Sequence, residues 1–220
     1  MVNRELIEAA EAFLRKTFAE GTLKQHDPYA AEYRVGHSVR AARIARKIAE
    51  AEGFDETEMM LALLLHDISY SKWFETREEW VAHGRSSAAI ARGFLKDCGL
   101  AEARIQDICY GIAIHVDGDA GFAGEETKFA LSVSDADNIE RFDSYRIHET
   151  LVTEGFLSLT PKEKEEYTRK KLEFAEQMRS IHCATDTAEA MWKEIADRYE
   201  EFFARLNTQM HNSLCALDPQ

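Results

Sequence analysis

The run Leu61-Ala62-Leu63-Leu64-Leu65-His66-Asp67 constrains this chain more than any other stretch. Its apolar residues lead straight into an imidazole and a carboxylate. An element that is apolar on every side belongs at the centre of a bundle. Two ionisable side chains at the buried end of such an element carry a desolvation cost that something must offset. A divalent ion is one such compensation, since neutral imidazole and carboxylate are both good ligands. The dipeptide alone proves little. A second one, His26-Asp27, stands directly before Pro28 and reads as a pair of loop or capping residues. The test is whether other parts of the chain supply further ligands.

The periodicity predicts an all-α chain. Helices are expected over 3–20, 34–52, 56–68, 83–97, 102–115, 126–145, 161–181 and 186–207. Asn3 is a candidate N-cap, Gly21 and Gly53 are stops, and Thr160-Pro161 opens a late helix. Residues 21–33 are expected as loop. Residues 69–81 are expected as an irregular segment carrying Tyr70, Lys72, Trp73, Phe74 and Trp80, placed to act as a lid or substrate contact. With 220 residues, 45% of them hydrophobic, the chain has material for one domain or one domain with an appendage. The expected organisation is a helical domain over 1–155, two C-terminal helices over 156–207 packing on it, and a frayed tail over 208–220.

Composition excludes some classes. A net charge of −13 argues against long nucleic acid as a partner, since that needs clustered Lys and Arg. It leaves a small phosphorylated ligand open, because a metal and a few local cations can offset an acidic surface. Cys98, Cys109, Cys183 and Cys215 match no zinc-ribbon or Cys-x-x-Cys spacing. No signal peptide or membrane-length apolar run is present, so a soluble cytoplasmic protein with reduced thiols is expected.

Further ligand-type residues recur on apolar faces. Ala41, Ile44 and Ile48 lie four, seven and eleven positions after His37, on its side of the helix. Ile105, Ile108 and Ile112 precede His115 by ten, seven and three positions. His83 opens its helix, and Asp135 and Asp137 stand in the helix over 126–145. Taken singly, each is as well explained as a core group hydrogen-bonded to backbone. Five helices that each turn such a residue inward are better explained together, because bundles build metal sites from facing helices. Asp135 and Asp137 are about 200° apart on a helix, so only one of them can face a given ion. The apolar residues around that helix do not choose between them.

The order His37, His66-Asp67, Asp137 resembles the signature of the HD-domain superfamily of metal-dependent phosphohydrolases. The stretches Arg34-Val35-Gly36-His37-Ser38-Val39-Arg40, Leu64-Leu65-His66-Asp67-Ile68 and Asp135-Ala136-Asp137-Asn138-Ile139 are similar to bacterial stand-alone HD hydrolases in particular. The resemblance covers roughly residues 20–145. It implies an HD-type helical bundle with a metal site in its core, held by His37, His66, Asp67 and Asp137. It selects Asp137 through the Ala136-Asp137 dipeptide and leaves Asp135 to contact a neighbouring helix or orient a ligand histidine. His83 and His115 fall where some members hold a second metal, and would bind it or hydrogen-bond phosphate. Some members carry a Lys or Glu three residues after the Asp of the pair. Here that residue is Tyr70, so Arg40, Arg43, Lys72 or Arg85 would have to contact phosphate instead.

The expected function is metal-assisted hydrolysis of a nucleotide or another small phosphorylated metabolite. The ion would activate water and polarise a phosphoryl oxygen, with Asp67 as catalytic residue and bridge between ions. Mn, Fe, Mg, Ni and Zn all suit a mixed His and carboxylate set, as one ion or two. The alternatives are a di-iron oxygenase of HD type and a non-catalytic metal- or nucleotide-binding module. The two C-terminal helices carry no chemical motif. Residues such as Phe174, Met178, Trp192, Ile195, Tyr199 and Phe203 either complete the bundle or form a homodimer interface.

Overall fold

Eleven α-helices and two short 3-10 segments make up the described residues, with no strand among them. These come from a computed structural model that describes residues 2–214. Two units are distinguished, one of residues 1–140 and 183–188, the other of 141–182 and 189–220.

In the first unit, α1 (Arg4–Glu20) starts where the Asn3 side chain accepts from the Leu6 amide at 3.2 Å. The segment 21–33, expected as loop, is helical on both sides of one break. It holds α2 (Thr22–His26) and the start of α3 (Pro28–Glu52). The proline rule is obeyed at Asp27 alone. That residue is extended, its carboxylate accepts from the Ala30 amide at 2.9 Å, and Pro28 takes the first helical position. His26 stacks on Trp73 with ring centroids 5.0 Å apart. Gly53 ends α3 at φ 75°, a conformation that favours glycine.

α4 (Glu56–Leu65) is the central rod. Leu61, Ala62, Leu63 and Leu65 are fully buried, and α4 packs against α3, α1 and α7. Its continuous apolar run needs burial on every side, and these neighbours supply it. After it, Ile68–Ser71 form a buried 3-10 turn. Next is α5 (Arg77–Val81), which is part of the segment expected to be irregular. Thr76 and Glu79 form a reciprocal capping box that starts it.

α6 (His83–Asp97) and α7 (Glu102–Ile114) pack together. α8 (Lys128–Arg141) stops short of the expected 145, because Asp143 accepts from the Ser144 amide at 2.6 Å and opens α9.

The second unit contains α9 (Ser144–Thr153), a 3-10 turn at Phe156–Ser158, α10 (Pro161–Met178) and most of α11 (Asp186–Asn212). Thr160 and Glu163 form a second capping box before α10, with Pro161 at the first helical position. Trp192 fixes α11 to the end of α10 through its indole N–H, which donates to the Met178 carbonyl at 2.9 Å. α11 continues past 207 to Asn212. The remainder of the expected tail, 215–220, lies outside the described residues, and Cys215 with it. Cys98 and Cys109 are free thiols. No helix among the described residues is long and apolar enough to cross a membrane.

Candidate metal centre

Three histidines of the first unit repeat one local device. The Nδ1–H of His66 donates to the Leu63 carbonyl at 2.8 Å, that of His83 to Trp80 at 2.6 Å, and that of His115 to Ile112 at 2.6 Å. Each carbonyl belongs to the residue three positions earlier, near a helix C-terminus. Carbonyls there have no intrahelical donor and are free to accept. Since a carbonyl can only accept, the proton sits on Nδ1, and the neutral ring keeps its lone pair on Nε2. His66 and His115 stand at the ends of α4 and α7, and His83 stands at the start of α6 just past α5.

The Nε2 atoms converge. His83 and His115 Nε2 are 3.2 Å apart, and His37 Nε2 lies 3.2 Å from His66 Nε2. Asp67 Oδ1 is 3.3 Å from His83 Nε2 and 3.7 Å from both His66 and His115 Nε2. Its Oδ2 is 3.8 Å from His37 Nε2. Asp137 Oδ1 is 3.0 Å from His37 Nε2 and 3.5 Å from His66 Nε2. All six side chains are buried. Ligand atoms of His37, His66 and Asp67 lie within 4.8 Å of one another, as do those of His66, His115 and Asp137, and of Asp67, His83 and His115.

This geometry fits a cation. The Nε2 atoms of His83 and His115 face each other in a buried site, and an ion between them turns their repulsion into ligation. Asp67 is common to the His37–His66 set and the His83–His115 set.

The charges are strongly coupled. Burial opposes ionisation of Asp67, but His66, Arg34, His115 and His83 together hold its carboxyl well below the usual range. Burial likewise opposes the charge on Asp137, and His37 and His66 outweigh it. Burial disfavours a charged His37, yet Asp137 and Glu140 raise its pKa from 6.5 to about 9.

Glu140 lies outside the site residues expected from the sequence. It accepts from His37 Nδ1 and from Arg40 Nε. It stands three residues after Asp137, on the same face of α8, and this i, i+3 spacing was the available signal. Asp135 points elsewhere: its carboxylate accepts from the Ala184 amide at 2.9 Å.

The expected phosphate cations are dispersed. Arg40 is held by Glu140, and Lys72 is exposed. Arg85 donates to Asp117 at 2.9 Å and to the Asp119 carbonyl at 2.6 Å. The cation that touches the cluster is Arg34, whose Nη1 lies 2.6 Å from Asp67 Oδ2. Its guanidinium lies 3.7 Å above the Tyr70 ring centroid. Tyr70 in turn lies 4.6 Å from the His83 ring. The residue in the unusual position therefore supports the arginine that grips Asp67.

Fold and cluster together define an all-α protein whose core carries histidine and aspartate sets of the kind that hold divalent ions. Residues 34–141 match the HD-domain family model, and this part of the chain is an HD domain. Among solved structures, the crystal structure of a predicted HD superfamily hydrolase from an uncultured Thermotogales bacterium shares the fold, with a TM-score of 0.60 at 20% identity. The match covers 94% of this chain and 92% of that one. No curated protein matches the chain. HD domains bind divalent metals, and the domain together with its buried His/Asp cluster supports a metal-dependent hydrolase.

Proposed function

We propose that this protein is a divalent-metal-dependent phosphohydrolase acting on a nucleotide or another small phosphorylated metabolite. The observation that carries the reading is the inward convergence of four imidazole Nε2 atoms and two carboxylates at separations of 3.0 to 3.8 Å. His37, His66, Asp67 and Asp137 would hold one ion; Asp67, His83 and His115 would hold a second. When bound, a divalent ion supplies Lewis acidity toward a phosphoryl oxygen and a lowered pKa for water.

The chain's own residues do the rest. The carbonyls of Leu63, Trp80 and Ile112 hold the Nδ1 protons, so the Nε2 faces stay oriented without rearrangement. Glu140 does the same for His37. Asp67 links the two sets, and Arg34 restrains its Oδ2 while placing a fixed positive charge beside the centre. Aromatic rings flank the cluster: Tyr33 lies 6.1 Å from His37, Tyr70 4.6 Å and Trp80 5.9 Å from His83. Such rings favour a substrate with a flat apolar part, which supports a nucleotide over a sugar phosphate.

The test is turnover. Purified protein loaded with Mn²⁺ and screened against phosphorylated metabolites should release phosphate or pyrophosphate. His66→Ala and Asp67→Ala should each abolish that release, and activity surviving both changes would remove the site from consideration. A second reading, a di-iron oxygenase, is favoured by the nitrogen-rich Asp67–His83–His115 set, which allows a second ion. A mixed-valence iron signal with oxygen uptake and no phosphate release would select it.

A further inference from the structure

The second unit has a cavity of about 520 Å³, within the range of small-molecule sites. Its charge is opposite to that of the chain. Arg141, Arg146, Lys170 and Lys171 line it against one carboxylate, Glu154, in a protein of net charge −13. Glu154 is already engaged, accepting from the Tyr167 hydroxyl at 2.6 Å and from Lys171 at 3.0 Å. Arg146 and Lys170 pair with Glu149 and Glu166, which are not part of the lining. Among the described residues Arg141 makes no ion pair; its guanidinium lies 5.6 Å from the Phe142 ring centroid.

Behind these cations the wall is aromatic. Phe174 lies 5.5 Å from Phe142 and 6.0 Å from Tyr199, and Tyr199 lies 4.7 Å from Phe203. Tyr199 is only 7% exposed, lines the cavity, and its hydroxyl has no hydrogen-bond partner among the described residues. The hydroxyl is not sealed in the core, so it is open to an acceptor in the cavity. Burial, then the charge of Glu154, push the Tyr199 hydroxyl above its usual pKa, so it stays protonated and can donate.

We propose that this cavity, separate from the His/Asp cluster, binds a small anion carrying an aromatic ring. The ring packs on the Phe142–Phe174–Tyr199 wall, the anionic group meets Arg141 and Lys170, and the Tyr199 hydroxyl donates to the ligand. The proposal does not depend on the reaction assigned to the metal centre.

Calorimetry on the full chain tests it with 1-naphthalenesulfonate, an aromatic anion that a phosphohydrolase cannot consume. The expected result is one molecule per chain, bound more tightly than about 1 mM, equally in metal-loaded and EDTA-treated protein. Methanesulfonate, with the charge alone, and 2-naphthol, with the ring alone, should each bind at least about tenfold more weakly. Tyr199→Phe keeps the ring and should cost about tenfold in affinity. The double variant Arg141→Gln, Lys170→Gln changes only exposed side chains and should cost as much or more, with helical content and melting temperature checked for both. No saturable binding, binding indifferent to both variants, or binding lost with the metal would overturn the proposal.

Discussion

Glu140 holds the Nδ1 edge of His37 from one helical turn beyond Asp137, while His37 Nε2 lies 3.0 Å from Asp137 itself. A single face of α8 thus contacts both nitrogens of one imidazole. Carboxylates that orient a ligand histidine in this way raise its basicity and fix its ring. Glu140→Ala should weaken metal affinity by about 10–100-fold. Competition with a fluorescent chelator measures it, and an affinity within twofold of the parent would show that Glu140 has no orienting role.

The same contacts set a pH dependence. In the metal-stripped protein the His37 pKa rises from 6.5 to about 9 against the opposing effect of burial, through Asp137 and Glu140. A group with a raised folded-state pKa contributes stability that is fully present below its unfolded value and disappears above its folded value. Urea unfolding of EDTA-treated protein should therefore show stability falling between about pH 6.5 and pH 9. Metal loading in that window should release a proton, seen as a dependence of the calorimetric heat on buffer ionisation enthalpy. A flat stability profile would contradict the assignment.

Arg34 tests what Tyr70 is for. A lysine keeps the charge but not the planar stack on the ring or the fork geometry toward Asp67. Arg34→Lys should lower kcat about tenfold, on the order of 1.4 kcal/mol in the barrier, with metal content unchanged by elemental analysis. Tyr70→Leu should reproduce much of that loss by removing the platform. Full activity in both variants would reduce Arg34 to a structural ion pair.

Gly84 lets α6 approach α7. A Cβ there would meet the Ala113 carbonyl oxygen at 2.7 Å and the Ile112 carbonyl oxygen at 3.0 Å. Ile112 is the residue whose carbonyl holds His115, and Gly84 follows His83 directly. Gly84→Ala should destabilise the fold by about 1–3 kcal/mol through overpacking. It should also loosen the His83–His115 pair before the His37–His66 pair. Where two ions bind per chain, metal counting should then find the variant reduced to one. Retention of both ions with parental stability would refute the close-approach argument.

Much of the fold could be read in the chain order, and the failures share a cause. The helices were legible because their periodicity, caps and stops are local. The segment 21–33 is helical rather than loop because the restriction before proline reaches one residue, Asp27, and not a whole segment. The expected helix over 126–145 runs too far because Asp143 caps the next helix and ends α8 at Arg141. Arg34 opens the Arg34–Arg40 stretch, yet the contact that makes it matter is with Asp67, 33 residues away.

By itself the sequence determined that the chain is helical, that Leu61–Leu65 is its buried rod, and that ligand-type residues fall on apolar faces of several helices. Those are consequences of hydrophobic spacing, which acts over a few residues. Only the tertiary structure decided how these residues meet. It turned Asp137 toward the histidines and Asp135 toward Ala184, paired His83 with His115, set Glu140 behind His37, and placed Arg34 on Tyr70. Each of these contacts joins elements distant in the chain. Their geometry depends on how helices cross and how closely Gly84 and its neighbours let them approach, and no local pattern encodes that.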